Sequence, residues 1–160
     1  MAGPSMEQAK LALLSAIRRL QPSDRFNVIE FDDDATRLFE TSRSADRRSV
    51  EEALQWVEAL DSDGGTEILG ALQLALDGKE TAGVVRQVVF ITDGQVGNEA
   101  QIFDFIRKNL GATRVFTIGI GSAPNSYFMR NAARAGRGTF THIGDVREVE
   151  GKMTALIRKL

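Results

Sequence analysis

"VVFITDGQVGN", Val88 to Asn98, is an apolar run that stops on Thr92-Asp93-Gly94. Apolar residues are near-continuous from Val84 to Thr92, as in a strand covered on both faces, which is how parallel strands between layers of helices read. Asp93-Gly94 then fits the turn at the carboxyl end of that strand. The fold class depends on whether the flanking segments alternate between helical and extended patterns.

They do. Downstream, Gln101 to Leu110 has helical spacing and is stopped by Gly111, and Arg114 to Ile120 is a second apolar strand ending in Gly119-Ile120-Gly121. Phe128, Ala132 and Ala135 mark a helix closed by Gly136; Thr139 to Ile143 is a short strand; Val149, Met153, Leu156 and Leu160 form a final amphipathic helix. Upstream, Ser5 with Gln8 three residues on predicts an N-cap for a helix carrying Ala9, Leu13, Ile17 and Leu20 and closed by Pro22. Phe26 to Phe31 and Ala35 to Phe39 read as a hairpin around Asp32-Asp33-Asp34, and two helices follow, one through Val50, Ala53 or Leu54, and Val57, the other from Ile68 to Gly78. The pattern predicts an α/β, doubly wound, mostly parallel sheet with helices on both faces. Its 160 residues suit one domain, 1–160.

Composition narrows the function. With 22 acidic and 20 basic residues and no long block of either sign, the sequence carries no nucleic-acid footprint. The absence of cysteine excludes disulfides, thiolate metal sites and cysteine nucleophiles. No apolar stretch approaches the roughly 20 residues of a spanning helix, so membrane insertion is not expected.

Ligands of doubly wound sheets sit outside the carboxyl ends of the strands. Asp93, Gly94, Gly121 and Ser122 therefore share one predicted rim with the loop Asp61 to Thr66. Asp93 and the Thr66 hydroxyl are hard oxygen donors suited to Mg²⁺, Mn²⁺ or Ca²⁺. On local spacing alone, a strand-ending turn at Asp93-Gly94 and a helix cap at Thr66 are the favoured reading.

"MAGPSMEQAKLALLSAI" (Met1 to Ile17), "DGGTEI" (Asp63 to Ile68), "VVFITDGQVGN" and "FTIGIGSAPNSYFMRNAARAGRGTFTHI" (Phe116 to Ile143) together resemble the von Willebrand factor A domain, a Rossmann-like fold. The flavour is similar to inter-alpha-trypsin inhibitor heavy chains and to sortase-target bacterial surface proteins. The resemblance implies a metal-ion-dependent adhesion site, in which a divalent cation completes its shell with a carboxylate from a protein partner. Thr66 and Asp93 would supply metal contacts, and Gly65, Gly94 and Ser122 the partner-binding rim. It also implies a cell-surface, extracellular or periplasmic setting and a larger parent protein.

In the family pattern an Asp-x-Ser-x-Ser motif, at the end of a buried first strand, immediately precedes the stretch matching Met1-Ala2-Gly3. The expectation is a domain incomplete at its N-terminus, lacking its central strand and keeping an incomplete ligand set, with Mg²⁺, Mn²⁺ or Ca²⁺ bound weakly or not at all. The Phe26 to Phe31 and Val84 to Thr92 strands would then be edges. Either they pair directly, or another segment or copy donates a strand, which would allow self-association, or the sequence is a shortened record of a longer protein.

Other motifs carry less. Asp32-Asp33-Asp34 reads as a solvated turn; Asp61-x-Asp63 lacks the calcium-loop glutamate, since Leu72 stands at the twelfth position; Gly119-x-Gly121 lacks the third glycine of a dinucleotide fingerprint. His142 lies at a strand end with no nucleophile turn to serve, and Trp56 and Phe103 read as core. A non-enzymatic protein-binding module is the leading expectation. The alternative is a Mg²⁺-dependent doubly wound enzyme domain acting on a phosphorylated small molecule.

Overall fold

Helical and extended segments alternate along the chain in a computed structural model that describes residues 3–61, 65, 67–78, 83–93, 96–122 and 124–160. The frame is a parallel sheet of three strands in the order β5 (Gln87–Thr92), β6 (Arg114–Ile120), β7 (Arg137–Ile143). Thr92 lies opposite Gly119, and Gly119 opposite His142, so all three carboxyl ends reach one rim.

Both faces of this sheet are covered. Helices α3 (Ile68–Leu76), α4 (Glu99–Asn109) and α5 (Ser126–Ala135) bring Ile68, Leu72, Ile102, Ile106, Phe128 and Met129 against Val88, Phe90 and Val115. Helices α1 (Pro4–Ile17) and α6 (Val149–Ile157) bring Ala9, Ala12, Met153 and Leu156 against Phe116, Ile118, Ile120 and Ile143. Along β6, Val115 belongs to the first cluster and Phe116, Ile118 and Ile120 to the second, the two-residue period of a strand buried on both faces. Fully burying one such side chain contributes about 1.5–3 kcal/mol. The doubly wound α/β architecture expected from the sequence is the one observed.

The remainder is a third cluster. The strand predicted over Phe26 to Phe31 is two strands: β1 (Arg25–Phe26), paired with β4 (Arg43–Ser44), and β2 (Ile29–Phe31), paired antiparallel with β3 (Ala35–Arg37). The cause is Asn27. Its Oδ1 accepts from the amides of Val28 (2.9 Å) and Phe39 (3.0 Å), and its Nδ2 donates to the Phe39 carbonyl (2.8 Å). A side chain here occupies the place of a ladder and interrupts the strand. Helix α2 (Arg47–Ala59) covers the cluster with Ala53 and Val57, and the Asp46 carboxylate caps it at the Ser49 amide (2.8 Å). Trp56 packs on the same cluster.

Several predicted boundaries move. Helix α1 starts at Pro4 with Gly3 as N-cap, so Ser5 lies inside the first turn and makes no cap. The Gln8 Oε1 is buried without a partner among the described residues and closes no capping box. β5 starts at Gln87 rather than Val84; Val84 and Val85 are 57% and 60% exposed. β7 starts two residues earlier than expected, because Arg137 adopts φ 56° and its guanidinium binds the carbonyls of Gly111 and Thr113. No ladder joins β2 to β5 among the described residues, so these two strands do not pair directly. They meet instead through side chains, the Phe31 and Phe90 rings stacking at 5.2 Å between centroids.

Candidate functional site

The rim at the carboxyl ends of the sheet is built by register. Asp93 follows Thr92 out of β5, and Gly121 and Ser122 follow β6 on the adjacent strand. Thr92 is 1% exposed, Asp93 half-buried and Ser122 exposed. A carboxyl-bearing residue thus follows one buried strand where it surfaces, and an exposed serine follows its neighbour.

Gly121 is the knot of the rim. At φ +89° it occupies backbone space that favours glycine, and an added Cβ would lie 3.1 Å from the Ser5 Oγ. Its carbonyl lies 2.8 Å from the His142 Nε2, and its amide donates to the Ile143 carbonyl (3.0 Å). The Lys152 Nζ donates to the His142 carbonyl (2.5 Å) and to the Glu148 carboxylate (3.1 Å), which also accepts from the Gly144 amide. The ends of β6 and β7 and the start of α6 are therefore tied at one place, with the Ser5 hydroxyl of α1 close by. His142 serves as a structural tie.

The opposite side of the rim is clamped by the acidic turn. The Asp33 Oδ1 accepts from the Gly65 amide (2.7 Å), and the Asp32 carbonyl from the Glu67 amide (2.6 Å). A Cβ at Gly65 would stand 2.5 Å from that Asp33 oxygen, so the loop approaches this closely because residue 65 is glycine. The turn itself is internally bonded, with the Asp34 amide donating to the Asp32 Oδ1 (3.0 Å). Asp32-Asp33-Asp34 is a turn, as its composition suggests, but Asp33 also straps down the following loop. Nothing local marks that role in the sequence, because the strap spans 32 residues.

Helices α4 and α5 are joined at their starts. Asn125 caps α5 at the Phe128 amide (3.0 Å) and donates to the Glu99 carboxylate (2.7 Å) in the first turn of α4. The lone Tyr127 stands 70% exposed beside this junction.

Of the five rim residues singled out in the sequence, Gly65, Asp93 and Ser122 are described; Thr66 and Gly94 lie outside the described residues. Register brings Asp93 and Ser122 to the ends of neighbouring strands, and Gly65 is carried by the Asp33 strap. Hard divalent cations require six or more oxygens. Among the described residues no group of three or more His, Asp or Glu side chains is placed to hold an ion. The described donors alone do not fit a resident cation.

A family model described as the von Willebrand factor type A domain matches residues 1–142. A von Willebrand factor A domain-containing protein of Dictyostelium discoideum is 31% identical over 158 residues, covering 98% of this chain and 17% of the relative. The human von Willebrand factor A domain-containing protein 5B1 is 28% identical over 160 residues, 99% of this chain and 13% of its own length. The chain thus spans less than a fifth of these curated relatives. Among solved structures, a von Willebrand factor type A protein from Catenulispora acidiphila superposes with TM-score 0.83 at 26% identity, over 94% of this chain and 37% of that one. Proximal thread matrix protein 1 from the mussel byssus, solved with a zinc-occupied MIDAS motif, superposes with TM-score 0.69 at 19% identity, over 96% and 40% of the two chains. At that identity it speaks to the fold alone.

Proposed function

This chain belongs to the family of von Willebrand factor type A domains, and we propose that it is a non-enzymatic, adhesion-type protein-binding module within a larger surface or secreted protein. Its partner contacts the rim formed by Gly65, Thr66, Asp93, Gly94 and Ser122. The observation that supports this reading is the register: a parallel ladder brings the chain out of two neighbouring strands at one end of the sheet, where Asp93 follows β5 and Ser122 follows β6.

The ligand such a rim suits is a protein segment bearing an Asp or Glu carboxylate; where further donors completed the oxygen set, Thr66 and Asp93 would help to hold a divalent ion that engages it. Two protein oxygens leave most of an ion's shell unfilled, so Mg²⁺, Mn²⁺ or Ca²⁺ binds weakly or not at all to residues 1–160 alone.

Thermal melting tests this. Mg²⁺ or Mn²⁺ at millimolar concentration should leave the melting temperature of residues 1–160 unchanged. Extension by a strand ending in Asp-x-Ser-x-Ser should restore a shift, about 2.7 kcal/mol of added stability at 100 times the dissociation constant. D93A in the extended protein should abolish that shift. An extended protein that folds and is indifferent to both ions defeats the reading.

A further inference from the structure

The end of the sheet opposite the rim collects positive charge that the composition conceals. The Arg114 amide donates to the Arg86 carbonyl (3.0 Å), aligning the starts of β6 and β5. The Val115 amide donates to the Gly136 carbonyl (2.8 Å), bringing in the end of α5, and the Gln87 Nε2 donates to the Leu160 carbonyl (2.6 Å), bringing in the segment after α6. Lys108, Arg114, Arg134, Arg158 and Lys159 therefore gather at the amino ends of the strands. All five are exposed, and none has an ion-pair partner among the described residues. Asp104 in the same region is already engaged by Arg107 at 3.4 Å.

Cations at helix carboxyl ends answer the helix dipole, which accounts in part for Lys108 and Arg134. It does not account for Arg114, which opens a strand. Nor does it account for Val84 and Val85, which stand more than half exposed just before Arg86. Two exposed valines thus stand just before the start of β5, at the end of the sheet where these cations collect.

We propose that this pole is a second docking surface, separate from the rim, for an acidic polypeptide segment that carries aliphatic side chains among its carboxylates. Charge complementarity selects the carboxylates, and Val84 and Val85 select the aliphatic groups. The exposed large apolar groups here are Val84, Val85 and Leu160, none of them aromatic; the exposed Tyr127 stands at the other pole. The pole thus lacks the aromatic stacking platform that single-stranded nucleic acid takes. β6, seven residues long, separates the two poles by about 20 Å. Occupancy of one leaves the other open.

The test is fluorescence anisotropy with a labelled 12-residue peptide of glutamates interspersed with leucines. A lysine-for-glutamate version, phosphatidylserine vesicles and a single-stranded oligonucleotide are the comparison probes. The protein should bind the acidic peptide in preference to all three, with affinity falling as salt rises. The reversal K108E/R134E/K159E should weaken binding about tenfold or more, and V84S/V85S about threefold with the salt dependence retained. The milder K108Q/K159Q serves if the reversal disturbs folding, and should weaken binding about threefold. Wild-type affinity in the folded charge variants overturns the proposal. So does vesicle or oligonucleotide binding at least as tight as the peptide's. Neither result bears on the cation dependence of the rim.

Discussion

Gly121 shows how much of the rim rests on one backbone conformation. Its φ of +89° costs an L-residue about 1–2 kcal/mol, and a Cβ would press on the Ser5 Oγ at 3.1 Å. G121A should therefore lower stability by about 1–2 kcal/mol in a denaturant titration and, by moving the Gly121 carbonyl, change the chemical shifts of the His142 ring. Unchanged stability would mean that the turn tolerates a side chain. Asp33 and Gly65 make a second point at this scale. The rim positions Asp93 and Ser122 were legible because they follow apolar strands, and strand ends are where such sheets present ligand groups. The strap from Asp33 was not, because an exposed acidic turn looks the same whether its carboxylates meet water or a distant amide. The same holds for Ser5, which the sequence casts as a helix cap and the structure sets beside Gly121.

Among the elements, those with apolar residues at a clear period were legible, and boundaries set by one side chain were not. Helices α2, α3 and α5 and strand β6 follow the spacing of Val57, Leu72, Phe128 and Ile118, each buried where the period puts it. The break at Asn27 escapes any period, because it depends on both polar atoms of one amide reaching Phe39, 12 residues away. β5 is shorter than its apolar run for a related reason: Val84 and Val85 have the composition of a strand but no cover. N27A should remove three hydrogen bonds of a part-buried side chain and lower stability by about 2–3 kcal/mol in urea, at about 1 kcal/mol each. Loss of amide-exchange protection in N27A should be greatest at Val28 and Phe39. A loss spread evenly over the chain would assign Asn27 a different part.

For the whole molecule, the near-balanced charge of -2 hides both a polar division of the surface and an acid sensitivity. The Arg147 guanidinium holds the Asp145 carboxyl down to about 2, well below its ordinary 3.8. The Ser49 amide lowers Asp46, and the Lys152 ammonium lowers Glu148. A carboxyl held lower in the folded state than in the unfolded one adds stability above its ordinary value, and that contribution fades as pH falls through the folded value. Burial, with Asp32 nearby, raises Glu30, which acts with the opposite sign: its contribution is present below 4.5 and fades as pH rises through the folded value. Three lowered groups outweigh one raised group, so the melting temperature should decline as pH drops from about 4.5 towards 2. D145N should flatten the lower part of that decline in a pH series of thermal melts. A melting temperature level down to pH 2 would show that these exposed contacts exert no net hold on the fold.

The break between β2 and β5 has a mechanical consequence. Strands in a ladder resist sliding because any shift breaks several hydrogen bonds at once, whereas stacked rings exchange one contact for a similar one as they glide. Where β2 faces β5, the hairpin side and the three-stranded side meet through Phe31 on Phe90. Shear across that seam is consequently a compliant direction of the molecule. Because Asp33 straps Gly65 from the hairpin side while Asp93 rises from the sheet side, such sliding changes the spacing between the two halves of the rim.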